Sequence, residues 1–98
     1  MEKVTPEDCE PYIRRVMSEM TDLLLEKNES YAASIFRPGR LGDGNKDPEA
    51  RLWCRIEDKL NRLESGREFP GDNDLKDLMG YFAALLAVKE MKKENKIV

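Results

Sequence analysis

Residues 81–88, Tyr-Phe-Ala-Ala-Leu-Leu-Ala-Val, are apolar on every side of any helix drawn through them. A helix with one apolar stripe needs one neighbour, whereas a helix that is apolar all round has to be buried on all sides. A chain of 98 residues has few helices with which to do this. The segment therefore predicts an all-α fold that assembles as a helical-bundle oligomer. A domain this small buries a thin core, and association is one way to enlarge it.

Three stretches follow the 3.6-residue period. The first helix is expected over residues 11–29, with Ile13, Val16, Met17, Met20, Leu23 and Leu24 on one stripe. Thr5-Pro6-Glu7-Asp8 has the chemistry of a helix start, with a capping Thr, an early Pro and acids at the positive dipole end. Pro11 lacks an N–H and predicts a break, so a short turn should precede the main helix. The second helix starts at Asp47-Pro48-Glu49 and stops near Ser65-Gly66, with Leu52, Trp53, Ile56, Leu60 and Leu63 as its apolar face. A turn at Pro70-Gly71 and a cap at Asp72 or Asn73 lead into the third, whose stripe is Leu75, Leu78, Met79, Phe82, Leu85 and Leu86. Between the first two helices, residues 30–46 form a long irregular loop punctuated by Pro38, Gly39, Gly42 and Gly44 and carrying Arg37 and Arg40. The expected organisation is one all-α domain over 1–98, with residues 1–10 and 95–98 as loose ends.

Composition narrows the chemistry. Charged residues make up 38 % of the chain with both signs mixed, and the net charge is -3. This is not the basic footprint of a general nucleic-acid binder. The longest apolar run is far short of the roughly 20 residues needed to cross a bilayer, so no membrane association is expected. The acidic N-terminus does not read as a signal peptide, and Cys9 and Cys54 lack metal-ligand spacing. Both are expected as reduced thiols in a cytosolic protein. The chain has no histidine, which removes the usual general base and leaves carboxylates, a metal, Lys, Tyr or Cys for any catalysis.

The charged faces are ordered. On the second helix Arg51, Arg55, Asp58 and Arg62 recur at helical spacing with Lys59 at the edge. Arg offers planar, bidentate donors, so the row suits phosphates, although a solvated face of weak ion pairs has the same pattern. On the third helix Asp74, Asp77 and Tyr81 form a row. Carboxylates at i, i+3 can share a Mg²⁺ ion completed by substrate phosphates, and acids in a first helical turn also follow from the macrodipole alone. Glu19 and Asp22 are a second acidic pair that could face the first. Tyr31, beside the Arg-bearing loop, is the best placed aromatic for stacking on a base, whereas Trp53 reads as core.

The segment Lys27-Asn28-Glu29-Ser30-Tyr31-Ala32-Ala33-Ser34 resembles the Lys-Asn-x-x-Tyr-Gly-x-Ser segment of small phage and prophage nucleotide-modification-associated helical proteins, close to MazG-type all-α nucleotide pyrophosphatases. The stretches from Arg55 to Arg62 and from Asp77 to Tyr81 are similar to two helices of the same group. The resemblance implies an oligomeric all-α fold with a nucleotide ligand. It implies Mg²⁺ on Asp58, Asp74 and Asp77, with Asp58 and Asp77 catalytic. Lys27, Arg55, Lys59 and Arg62 would hold phosphates, and Asn28, Tyr31 and Tyr81 would complete the nucleotide site. Two departures stand out: Ala32 replaces the glycine after the tyrosine, and no Glu-x-x-Glu pair precedes the Asp-x-x-Asp helix. Two functions follow. One is a Mg²⁺-dependent nucleoside triphosphate pyrophosphohydrolase. The other is a viral protein that sequesters a nucleotide, such as a cyclic signal of host defence, without cutting it.

Overall fold

A computed structural model describes residues 3–38, 47–67, 70–71 and 73–97. Among these all regular structure is helical: α1 spans Pro6–Ser30, a 3₁₀ turn follows at Ser34–Phe36, α2 spans Pro48–Ser65 and α3 spans Asp74–Lys93. Arg40 and the rest of 39–46 lie outside the described residues, as does Asp72.

The local signals set the helix ends. The Asp47 carboxylate accepts from the Ala50 N–H at 2.9 Å, with Pro48 opening α2. Gly66 closes that helix at φ 72°, a left-handed conformation that costs glycine little. Asn73 caps α3 through the Lys76 N–H at 3.1 Å. At α1 the expected break at Pro11 does not occur: one helix runs from Pro6, with Pro11 inside it. Thr5 and Asp8 form a reciprocal capping box, Asp8 N–H to Thr5 Oγ1 at 3.3 Å and Thr5 N–H to Asp8 Oδ2 at 3.0 Å. The box anchors the first turn, and Pro11 costs only one hydrogen bond near its start. Residues 6–10 are thus helical rather than loose. At the other end Ile97 packs against the core.

The core lies between α2 and α3. Leu52, Ile56 and Val88 are fully buried there, joined by Leu78, Ala84 and Leu85. Ion pairs at the two ends show that the helices run antiparallel: Glu49 meets Lys89 at 2.7 Å and Lys92 at 3.0 Å, and Lys59 meets Asp77 at 2.8 Å. α1 touches α3 around Gly80, where an added Cβ would lie 3.0 Å from Leu24 Cδ2. The N-terminal half of α1 runs past the pair, leaving Ile13, Val16 and Met17 exposed on the stripe that buries Met20.

Several residues expected in the core are outside it. Trp53 is 50 % exposed and meets Phe82 edge-on, with ring centroids 6.4 Å apart. Leu60, Leu63, Leu75 and Leu86 are also exposed. Periodicity marks a face of a helix, but within one chain no helix covers this one.

The chain leaves α1 through a strained turn. Ala33 donates to the Asn28 carbonyl at 3.0 Å and Ala32 to Glu29 at 3.1 Å. This geometry sets Ala32 at φ 50° and Ala33 at φ 60°. Non-glycine residues there cost on the order of 1–2 kcal/mol each. Ala32→Gly is therefore expected to raise stability by up to about 1 kcal/mol in denaturant unfolding, opposite in sign to Ala→Gly inside a helix.

Hydrogen bonds from Lys89, and then from Lys92, hold the Glu49 carboxyl below its ordinary value of 4.5. A carboxyl depressed on folding stabilises the fold above its unfolded pKa, and that stability is lost as pH falls through the folded one. Melting of the parent and Glu49→Gln chains should therefore differ at about pH 7, and the difference should shrink as the pH falls below the ordinary value of 4.5 and through the lowered one.

Candidate functional site

α3 presents three faces. Leu78, Leu85 and Val88 face α2, whereas the row toward α1 is made of small residues, Gly80, Ala84 and Ala87. Small side chains cannot fill the space between the helices, and a cavity of about 490 Å³ remains, bounded by α1, the 3₁₀ turn, α2 and α3. That volume is within the usual range for small-molecule sites.

Seven residues singled out from the sequence line this cavity: Lys27, Asn28, Tyr31, Arg51, Arg55, Asp77 and Tyr81. They come from all three helices, and α1 brings Lys27, Asn28 and Tyr31 by its last two turns. Sequence reasoning missed Phe36, Lys76 and the small row. The signal for the row, Gly80-x₃-Ala84-x₂-Ala87, was visible as helical spacing of small residues.

Phe36 is held in place by Arg51. The Arg51 guanidinium donates to the Ser34 carbonyl at 3.1 Å and to the Arg37 carbonyl at 2.9 Å, pinning both ends of the 3₁₀ turn. The first arginine of the charged row thus clamps backbone.

Charge in the cavity is one-sided. Among the described residues, Lys27, Arg51, Arg55 and Lys76 line it against the single carboxylate of Asp77, in a chain whose net charge is -3. Arg55 and Lys76 have no ion-pair partner among the described residues.

The remaining candidates stand behind this wall or apart from it. Asp74 is 2 % exposed. Its Oδ1 lies 3.4 Å from Lys59 Nζ and 3.9 Å from Arg62 Nη1. Asp77 takes Lys59 at 2.8 Å through Oδ2 and Lys27 at 3.7 Å through Oδ1. Lys59 therefore sits between the two carboxylates. Asp58 is exposed on α2, and no three acidic or thiol side chains converge as a metal site among the described residues. The Asp74–Asp77 pair is arranged around an ammonium, and a divalent ion would have to displace it.

A lysine shared by two mostly buried carboxylates has a testable consequence. Lys59→Met leaves like charges one helical turn apart in a poorly solvated place, and losing one partner of such a pair costs roughly 3–5 kcal/mol. Denaturant unfolding should show a loss of that order, and the further change Asp74→Asn should recover part of it.

Comparison with protein-family models, with curated proteins and with solved structures finds no match to this chain.

Proposed function

We propose that the cavity binds a nucleotide and holds it without cleaving it. The observation that carries this reading is the cluster of cations around a partly apolar cavity, with Arg55 and Lys76 unpaired among the described residues. Such a lining suits a ligand with a planar, apolar body and an anionic tail. Phosphates pair with guanidinium and ammonium groups. A base gains from Tyr31, Phe36 and Tyr81 by stacking. Asn28 adds an amide able to donate to and accept from a base or sugar. The engagement of Asp74 and Asp77 by Lys59 favours holding over hydrolysis, because the acid pair already has its cation.

A second reading, the Mg²⁺-dependent pyrophosphohydrolase, draws on one observation: Asp77 belongs both to the acid pair and to the cavity wall. On either reading the chain acts as part of a homo-oligomer.

The two readings separate in one experiment. A panel of nucleoside triphosphates and cyclic dinucleotides is incubated with the protein in Mg²⁺ or in EDTA and chromatographed before and after denaturation. The expected result is one nucleotide that disappears from solution, in EDTA as well, and returns intact on denaturation. A monophosphate plus pyrophosphate, formed only with Mg²⁺ and abolished by Asp77→Asn, would establish the hydrolase instead. If no nucleotide is retained or cut, the nucleotide reading fails. For the retained nucleotide, Arg55→Ala should weaken binding about tenfold or more in calorimetry, since hydrogen bonds to charged groups contribute about 1.5–3 kcal/mol.

A further inference from the structure

The chain exposes 8037 Å², whereas a compact monomer of its 11.3 kDa exposes about 5,700 Å², an excess of about 2,300 Å². Its radius of gyration is 16.2 Å against about 12.6 Å for a compact chain of this length. The exposed surface includes large apolar side chains on α2 and α3. On α3, Leu75, Phe82 and Leu86 recur at i, i+7 and i+11 and form a third face, turned away from both α1 and the α2 contact. On α2, Trp53, Leu60 and Leu63 are exposed beside it, and the two rows join where Trp53 meets Phe82.

We propose that a second copy of this chain covers this face about a two-fold axis, so that α2 and α3 of both copies form a four-helix bundle. An isologous contact sets the same apolar patch against itself and needs no complementary charge on a different partner. The area of the whole chain accommodates this occupant. Obligate dimers bury roughly 1,000–2,500 Å² per partner in interfaces that resemble a domain core cut in half. The excess surface of one chain falls in that range. The core of the single chain is correspondingly thin, with Leu52, Ile56 and Val88 its only fully buried large side chains among the described residues. The assembly requires no ligand, so it stands or falls separately from the nucleotide reading.

The test is sedimentation of the full chain without added nucleotide, together with the emission of Trp53, the sole tryptophan. Twice the 11.3 kDa chain mass is expected, with Trp53 shielded from acrylamide and a melting temperature that rises with protein concentration. Leu75 and Leu86 are 72 % and 67 % exposed in the single chain, so Leu75→Glu and Leu86→Glu spare its core. Both should halve the mass and shift Trp53 emission to the red. If these variants fail to fold alone, the concentration dependence of parent melting still decides. A single-chain mass with concentration-independent melting would overturn the proposal. So would a dimer that survives Leu86→Glu and dissociates on Val16→Glu, which would move the contact to the overhanging half of α1.

Discussion

Everything else in this molecule hangs on the antiparallel contact of α2 with α3. Leu52, Ile56 and Val88 close it to solvent, and charges fix its register at both ends, Glu49 on Lys89 and Lys92, Lys59 on Asp74 and Asp77. Burial gives the attraction but is indifferent to a slip along the helices, whereas paired charges are not. A slip of one turn would strand Asp74, which has almost no exposure, without its lysine. The register in turn places Arg55 and Tyr81 on the same side of the pair, and so defines where a cavity can form.

The cavity is then a consequence of what α3 does not fill. Its α2-facing row is branched and bulky, and its α1-facing row is Gly80, Ala84 and Ala87. Around that gap the cations are sorted by what they already hold. Arg51 is occupied by backbone carbonyls and Lys59 by the two aspartates. Arg55 and Lys76 are without such partners among the described residues, which concentrates uncompensated charge at the cavity rather than along the whole helix.

How much of this could be read from the residues follows the range of each interaction. Caps at Asp47, Asn73 and Gly66 were legible because they depend on neighbours within one turn. The start of α1 was legible in part: the Thr5 cap could be read, but Pro11 argued for a break that the continuous helix does not have. Tyr31, Arg55, Asp77 and Tyr81 were visible as charge and aromatic rows, whereas Lys27 and Asn28 entered only through the resemblance, and all of these line the cavity. That Lys59 sits between Asp74 and Asp77 required knowing the register of two helices, which no single-helix pattern contains. The exposure of Trp53, Leu75 and Leu86 was hidden for the same reason: a stripe says that a face is apolar, not which body lies on it.

Gly80 carries a consequence for selectivity. A side chain there would begin 3.0 Å from Leu24 and 3.9 Å from Met20, so the missing carbon sets how closely α1 approaches α3. The calibre of the cavity is thus governed by a hydrogen atom on a helix backbone. A larger residue at this one position would hold α1 further from α3 and widen the cavity, with every cation and aromatic ring still on its helix.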